Sequence, residues 1–142
     1  MKIAIIGAGN LGVSIAKGLI FSNAFTTLYL SKRKIEDIQE FEEYAKVHVT
    51  SDNLKAVRNS DILIFAVQPT QFERILEEIK DELTDKHVLI STVTGFKIPR
   101  IEAIIGQHQY IIRSVPNTAI AVGKSMTCLC SNEAGEKRIK IA

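Results

Sequence analysis

The sequence predicts an α/β fold of the doubly wound kind, with a mostly parallel sheet and helices on both of its faces. Two observations predict it. Short apolar runs alternate with amphipathic helical segments along the 142 residues, which is the pattern of repeated βαβ units. The first run also ends in Gly7-Ala8-Gly9-Asn10-Leu11-Gly12, a turn with the spacing G-x-G-x-x-G between a strand and a helix.

The first βα unit has the clearest pattern. Ile3 to Ile6 is too short and too continuously apolar for a lone helix, and it suits a parallel strand covered on both faces. Leu11, Ile15 and Leu19 then recur at helical spacing, which predicts a helix from Asn10 to about Phe21.

The remaining elements follow from the same two periodicities. Strands are predicted at 26–30, 47–50, 61–67, 87–92, 110–115 and 125–130, and helices at 35–44, 52–58, 70–83 and 98–105. Thr70 and Glu73 are predicted to form a capping box at the start of the 70–83 helix. Asn132 is predicted to cap a last helix that begins at Glu133.

The composition limits the classes of function. The chain is 46% hydrophobic and 24% charged, with a net charge of +2 and no run of like charges, so nucleic acid is not expected as a partner. No apolar stretch reaches the roughly 18 residues of a membrane span, and the amino terminus lacks a signal-peptide pattern. We therefore expect no membrane association and a cytoplasmic location.

The cysteines and histidines do not form a recognisable metal site, and no metal is expected. Cys128 and Cys130 are expected to pack on one face of a strand, because a single C-x-C pair is poor metal geometry. His48, His87 and His108 lie among polar neighbours and are expected on the surface.

The glycine turn predicts dinucleotide binding. Gly7 permits the tight turn, Gly9 lets a pyrophosphate approach the backbone, and Gly12 lets the following helix pack against the strand. The N–H groups and the positive dipole end of that helix then face the phosphates. Glycines also collect in ordinary turns, but the position between a strand and a helix favours a Rossmann-type site.

The end of the second strand selects between the two nicotinamide dinucleotides. NAD-binding domains carry an acidic residue there, about 20 residues past the glycines. This chain has Ser31-Lys32-Arg33-Lys34, with no carboxylate until Glu36. One hydroxyl and three cations suit a 2′-phosphate, so NADP(H) is the expected cofactor. The alternative is a solvated basic loop without a ligand.

Several ordered motifs together resemble the N-terminal domain of the pyrroline-5-carboxylate reductase family over essentially the whole chain. The glycine turn resembles the family's G-x-G-N-M-G, and Ser31-Lys32-Arg33 resembles its S-N-R turn. Ala66-Val67-Gln68-Pro69 is similar to A-V-K-P, with glutamine in place of lysine. Residues 113–119, RSVPNTA, are similar to R-x-M-P-N-T-P, and Asn53 falls where the family has an asparagine near the adenosine ribose.

The resemblance implies where the cofactor lies. In the family, the V-K-P turn and the P-N-T loop run along the cofactor, the latter near the nicotinamide, where the Asn117 amide could bind the carboxamide. The other interpretation of Asn117 is a simple turn residue. The residues expected to bind NADP(H) are Gly7, Gly9, Asn10, Leu11, Gly12, Ser31, Lys32, Arg33, Asn53, Val67, Gln68, Pro69 and Asn117.

The resemblance also implies an activity. The family transfers a hydride from NADPH to the C=N bond of 1-pyrroline-5-carboxylate, which gives proline and completes its biosynthesis. We expect residues 1–142 to form a single dinucleotide-binding domain, without the family's C-terminal helical domain, which dimerises and supplies much of the substrate site. An imine substrate and a homo-oligomer are the partners implied, and the chain alone is expected to be incomplete for catalysis.

Two other functions remain open at this point. One is a stand-alone NADP-binding or sensing module without turnover, and the other is a deazaflavin-dependent NADP reductase. No catalytic residue is assigned. Asp61 and Glu102 are available carboxylates, but each fits a helix-end or surface position better.

Overall fold

A seven-stranded sheet forms the centre of the molecule. The computed structural model describes the backbone of residues 1–142 and every side chain except that of Thr118. The strands are β1 (Lys2–Ile6), β2 (Thr27–Ser31), β3 (Val47–Thr50), β4 (Ile62–Phe65), β5 (Val88–Ser91), β6 (Tyr110–Val115) and β7 (Cys128–Ser131). The α-helices are α1 (Asn10–Ser22), α2 (Asn53–Arg58), α3 (Pro69–Ile79), α4 (Ile98–Ile105) and α5 (Glu133–Glu136). Four 3₁₀ helices span Ile35–Glu43, Lys80–Glu82, Thr118–Val122 and Ile139–Ile141.

The strand order confirms the doubly wound α/β fold. The sheet runs β3-β2-β1-β4-β5-β6-β7, and every pair is parallel except β6 with β7. From β1 the chain builds outward through β2 to β3, then returns to place β4 on the other side of β1. The direction of winding therefore reverses between β1 and β4, and the carboxyl ends of these strands form the crevice where such sheets bind ligands.

The core lies on both faces of the sheet. Within β1, Ile3 and Ile5 belong to the cluster on one face, and Ala4 and Ile6 belong to the cluster on the other. The first cluster includes residues of α1 and of the 3₁₀ helix Ile35–Glu43, and the second includes residues of α2, α3 and α4. This double burial explains why the strands are continuously apolar. No helix in the described part of the chain is long and apolar enough to cross a bilayer.

The segment after β2 is a 3₁₀ helix rather than the α-helix that its amphipathic pattern suggested. Its apolar residues Ile35, Ile38 and Phe41 recur every three positions, and Ile38 and Phe41 are buried. A spacing of three matches the 3₁₀ period, whereas an α-helix would rotate these side chains off a common line. The spacing of the apolar residues in the sequence therefore indicates the 3₁₀ helix.

The predicted capping box at Thr70 and Glu73 is wrong. Helix α3 begins at Pro69, its N-cap residue is Gln68, and no side chain caps it. Proline suits the first helical position because its φ is already helical and it lacks an N–H that would go unpaired. Thr70 consequently lies inside the first turn and cannot act as the cap. The cap at Asn132 is confirmed, since its Oδ1 accepts from the Gly135 N–H at 2.7 Å.

Two side-chain expectations are also corrected. His87 is buried rather than exposed, and its Nδ1 accepts from the Thr84 N–H at 2.9 Å while Nε2 lies 3.3 Å from the Val57 oxygen. Cys128 and Cys130 are exposed rather than packed, because β7 is an edge strand of the sheet. His48 and His108 are exposed as expected.

Candidate functional site

A cleft of about 530 Å³ opens at the carboxyl ends of β1, β2 and β4, where the winding reverses. Its walls are the glycine turn, the start of α2, α3, and the segment Ser31-Lys32-Arg33-Lys34 at the end of β2, which we call the basic turn. It is bordered by Ile6, Gly7, Ala8, Gly9, Ser31, Lys32, Arg33, Lys34, Asp37, Ser51, Asn53, Ala66, Val67, Gln68, Gln71, Arg74, Ile75 and Glu78.

The glycine turn is hydrogen-bonded to the end of β2. Gly7 has φ +92°, a value that L side chains rarely adopt, and a Cβ there would lie 2.4 Å from Val67 Cγ1. The N–H groups of Gly7 and Ala8 both donate to the Ser31 carbonyl oxygen at 3.0 Å. The turn and the end of β2 are therefore one rigid unit, and both border the cleft.

Gly9 and Gly12 have opposite surroundings. A Cβ on Gly9 would meet no protein atom within 4 Å, so the backbone there faces open space. A Cβ on Gly12 would lie 2.4 Å from the Gly7 carbonyl oxygen. Gly12 thus allows α1 to pack under the turn, whereas Gly9 leaves room for a group outside the protein to approach the backbone. This arrangement fits a pyrophosphate.

A chain of hydrogen bonds crosses the cleft from β2 to α3. The hydroxyl of Ser31, which is 2% exposed, donates to Asn53 Oδ1 at 2.5 Å, and Asn53 Nδ2 donates to Glu78 Oε2 at 3.4 Å. Asn53 is the first residue of α2, held there by Asp52, whose Oδ1 accepts from the N–H groups of Leu54 and Lys55. The three side chains are far apart in the sequence and adjacent at the site.

An ion pair joins the last residue of α2 to the 3₁₀ helix Lys80–Glu82, which follows α3. Arg58 donates to both carboxylate oxygens of Glu82, from Nη2 at 2.6 Å and from Nε at 2.9 Å. The hydrogen bonds from Arg58 hold the pKa of the Glu82 carboxyl below its ordinary value, and the same bonds raise the pKa of Arg58. Asn53 lies on α2 and Glu78 on α3, so the pair is a second connection between the two segments that carry them.

The cleft is positively charged overall. It is bordered by the cations Lys32, Arg33, Lys34 and Arg74 and by the carboxylates of Asp37 and Glu78. Lys32 Nζ is already paired with Asp37 Oδ2 at 3.0 Å. Among the side chains that the structure describes, Arg33, Lys34 and Arg74 make no salt bridge within 4.0 Å. Three cations therefore stay available for an anionic ligand.

The end of β4 forms the third wall. Val67 and Gln68 border the cleft, whereas Pro69 does not. The Gln68 carbonyl accepts from the N–H groups of Gln71 and Phe72, because Gln68 is the N-cap residue of α3. Pro69 acts by starting the helix, which sets the direction of α3 along the cleft.

The structure brings together eight of the predicted site residues around the cleft. These are Gly7, Gly9, Ser31, Lys32, Arg33, Asn53, Val67 and Gln68. The other five do not border it: Asn10 and Leu11 begin α1, Gly12 packs under the turn, Pro69 starts α3, and Asn117 lies after β6. Cofactor contact by any of the thirteen stays a prediction.

Asn117 caps the 3₁₀ helix Thr118–Val122. Its Oδ1 accepts from the Ala119 N–H at 2.9 Å, and its own N–H donates to Ser125 Oγ at 3.1 Å. The helix lies against α1, where a Cβ on Gly18 would be 2.3 Å from the Ile120 oxygen. The side-chain oxygen of Asn117 therefore has the role of a turn residue, because it caps the 3₁₀ helix. Its amide NH₂ group has no partner among the described hydrogen bonds.

Sequence reasoning missed the contribution of α3. Arg74 and Glu78 border the cleft one turn apart, and Ile75 lies between them in sequence. The helical pattern predicts the apolar face of α3 and gives no role to the polar side chains next to that face. Their i, i+4 spacing beside an inward isoleucine was the available signal. No cluster of three or more metal-ligating side chains occurs in the described part of the chain.

The comparisons with known proteins agree with the motifs. Residues 2–95 match the family described as NADP oxidoreductase coenzyme F420-dependent. "Pyrroline-5-carboxylate reductase 2" of Dictyostelium discoideum is 41% identical over 134 residues, covering 92% of this chain and 45% of that protein. "Pyrroline-5-carboxylate reductase" of Arabidopsis thaliana is 32% identical over 133 residues, covering 90% of this chain and 47% of that protein.

Solved structures give the same result. A pyrroline-5-carboxylate reductase from Coxiella burnetii superposes with a TM-score of 0.89 at 34% identity, covering 99% of this chain and 53% of that one. The Plasmodium falciparum pyrroline carboxylate reductase with NADP bound has a TM-score of 0.79 at 26% identity, covering 98% of this chain and 52% of that one. The chain spans about half the length of the curated relatives it matches.

The resemblance that the motifs indicated is thereby confirmed. The match over residues 2–95 covers the glycine turn, the basic turn after β2, the start of α2 and all of α3, which together form the cleft. The chain belongs to the family of NADP oxidoreductases described as coenzyme F420-dependent, and its relatives include pyrroline-5-carboxylate reductases.

Proposed function

We propose that this chain binds NADP(H) in the cleft as the cofactor domain of a reductase of the pyrroline-5-carboxylate type. The observation that carries the proposal is the joining of the glycine turn to the basic turn through the Ser31 carbonyl, which accepts from Gly7 and Ala8. One rigid unit then offers open backbone at Gly9 to a pyrophosphate and cations after β2 to a 2′-phosphate. The NADP bound to the Plasmodium relative supports the same assignment.

The chain's own residues bind and orient the cofactor. In the proposed arrangement, the N–H groups at the start of α1 face the pyrophosphate, and Arg33 forms charge-assisted bonds to the 2′-phosphate. Asn53 and Ser31 meet the adenosine ribose, and the Asn117 amide NH₂ faces the carboxamide of the nicotinamide. When bound, NADPH supplies the hydride that reduces a substrate C=N bond.

No catalytic acid or base is proposed from this chain. Asp61 precedes β4, at the amino end of the strand, and therefore lies on the opposite edge of the sheet from the cleft. Glu102 on α4 accepts from Asn132 Nδ2 at 3.0 Å and does not border the cleft. Both carboxylates therefore lie outside the cleft. We propose that the rest of the substrate site comes from a further helical domain and from a homo-oligomeric partner.

The substrate and the location are part of the same proposal. Pyrroline-5-carboxylate is proposed because the curated relatives carry that name, and proline would be the product. The cytoplasm is proposed from the sequence pattern alone, and a fluorescent fusion imaged in cells tests it. A location in an organelle would contradict it.

Titration calorimetry with NADPH and NADH tests the cofactor assignment. Arg33→Ala is expected to weaken NADPH binding by roughly ten- to hundredfold and NADH binding by less than about twofold, because only NADPH carries the 2′-phosphate. Lys86→Ala is the matched control: it removes an exposed cation just before β5, at the opposite edge of the sheet. Equal loss of both nucleotides in Arg33→Ala would contradict the assignment to NADP(H).

Turnover separates the remaining functions. NADPH oxidation with pyrroline-5-carboxylate supports the reductase, whereas tight NADPH binding without turnover supports a binding module or a domain that needs its second half. The family's description also favours one test with a deazaflavin. Reduction of coenzyme F420 by NADPH on this chain would establish the deazaflavin-dependent function instead.

A further inference from the structure

Glu78 is one of the charged groups of the cleft that the proposed function does not use, together with Asp37 and Arg74. It lies on α3, on the wall opposite the basic turn. Its Oε2 accepts from Asn53 Nδ2 at 3.4 Å, and Asn53 Oδ1 in turn accepts from the Ser31 hydroxyl at 2.5 Å. The carboxylate is therefore linked through one side chain to the end of β2, where the adenosine ribose is proposed to lie.

The charge of Glu78 is not neutralised. Among the described side chains, no cation lies within 4.0 Å of its carboxylate, and its partner Asn53 is neutral. The other carboxylate of the cleft differs, since Asp37 is paired with Lys32 at 3.0 Å. The Glu78 carboxylate therefore carries its charge without a salt-bridge partner, at an exposed position where screening weakens but does not remove it. Arg74 borders the same cleft one turn earlier on α3.

A carboxylate beside an adenosine ribose distinguishes the two dinucleotides. It accepts a hydrogen bond from the 2′-hydroxyl of NAD(H), and it repels the 2′-phosphate of NADP(H). Doubly wound domains that bind NAD carry this carboxylate at the end of the second strand. Here that position is basic, and a carboxylate reaches the same region from α3 instead.

We propose that Glu78 is a specificity-determining residue that lowers this chain's preference for NADPH over NADH. This inference rests on the proposed NADP(H) site. Its carboxylate accepts from the ribose 2′-hydroxyl of NADH and opposes the 2′-phosphate of NADPH. The basic turn and Glu78 therefore act in opposite directions, and the ratio of the two affinities reflects the balance between them.

Glu78→Gln tests the proposal, because glutamine keeps an oxygen for Asn53 and removes the charge. Dissociation constants for NADPH and NADH are measured by titration calorimetry on the unmodified chain and on the variant. We expect NADPH to bind roughly three- to tenfold more tightly in Glu78→Gln. NADH is expected to bind equally or more weakly, so the ratio of affinities rises. The gain for NADPH is expected to shrink in high salt.

Glu77→Gln is the matched control. It makes the same change of charge one residue earlier on α3, but its carboxylate pairs with Lys80 at 2.6 Å and does not border the cleft. This variant is expected to change either affinity by less than about twofold. Glu78→Asp, which keeps the charge, is expected to retain the original ratio, and thermal melts confirm that all three variants fold.

The outcomes separate this inference from the proposed function. An unchanged affinity ratio in Glu78→Gln, or an equal rise in Glu77→Gln, would overturn the role of Glu78. If the unmodified chain binds NADPH and Arg33→Ala loses it, the proposed function stands whatever Glu78→Gln does. If the unmodified chain binds neither dinucleotide, the proposed function and this inference fail together.

Discussion

Replacing Gly9 by alanine is expected to separate cofactor binding from folding. The backbone at Gly9 has φ −81° and ψ −157°, an extended conformation open to alanine, and the added Cβ meets no protein atom within 4 Å. The free energy of unfolding is therefore expected to change by less than about 1 kcal/mol, and a small increase is reasonable because alanine restricts the unfolded chain.

In the proposed complex, the same methyl group occupies space that the pyrophosphate needs. The Gly9 N–H already donates to the Gly7 carbonyl oxygen at 2.8 Å, so the proposed donors are the N–H groups at the start of α1. A phosphate oxygen approaches such an N–H to about 2.9 Å, closer than a methyl group at Gly9 allows. Loss of one charge-assisted hydrogen bond of about 1.5–3 kcal/mol corresponds to roughly ten- to hundredfold weaker binding. NADPH and NADH are expected to lose affinity equally, because both carry the pyrophosphate.

Gly12→Ala provides the contrast. Its Cβ would lie 2.4 Å from the Gly7 carbonyl oxygen, so α1 must move away from the turn. Such overpacking costs about 1–3 kcal/mol, which lowers the melting temperature by roughly 3–10 °C in a domain of this size. Thermal melts and calorimetric titration of both variants provide the comparison. The reasoning is refuted if Gly9→Ala binds NADPH as the unmodified chain does, or destabilises the fold as much as Gly12→Ala.

Two further predictions concern stability. Asn132→Ala is expected to cost about 3–5 kcal/mol in chemical denaturation, because it removes a helix cap and leaves the buried Ile111 N–H and Gln109 carbonyl unpaired. Asn59→Ala, which loses one exposed bond to the Lys55 oxygen, is the control, and an equal cost for both would contradict this account. In Glu82, the folded carboxyl has a lowered pKa, so its pairing with Arg58 stabilises the fold above the ordinary pKa of 4.5 and is lost as the pH falls through the folded value. The melting temperatures of the unmodified chain and Glu82→Gln should therefore converge in acid, and a gap that persists there would count against the pair.

The part of the fold that the sequence could predict is the part set by local pattern. The strand Lys2–Ile6, the turn and α1 follow one another within 22 residues, and glycine spacing and periodicity specify them without reference to the rest of the chain. The inner strands further along lie at nearly the predicted positions, because burial on both faces leaves a continuous apolar run. The exposed edge strand β7 begins at Cys128, three residues later than predicted. The segment Ile35–Glu43 is a 3₁₀ helix although its amphipathic pattern suggested an α-helix. The spacing of its apolar residues, three rather than 3.6, distinguishes the two.

The candidate site was predictable where motifs line its walls and not where tertiary packing supplies a side chain. Arg33 and Gln68 follow directly from strands and could be placed at the carboxyl edge of the sheet. Glu78 enters the cleft only because α3 runs beside α2, a relation no local pattern contains. His87 was missed for the same reason: polar sequence neighbours do not show that Val57 from α2 covers the imidazole.

The open edge of the sheet at β7 has a practical consequence. In the described part of the chain, β7 pairs with β6 on one side and with no strand on the other. At every second residue of β7, the N–H and C=O groups therefore have no hydrogen-bond partner in the sheet. Leu129 and two thiols are exposed along the same four residues. Such an edge is a template for pairing with another chain, and exposed thiols oxidise to intermolecular disulfides. Purification under reducing conditions will therefore keep disulfide-linked dimers at this edge from obscuring the binding titrations.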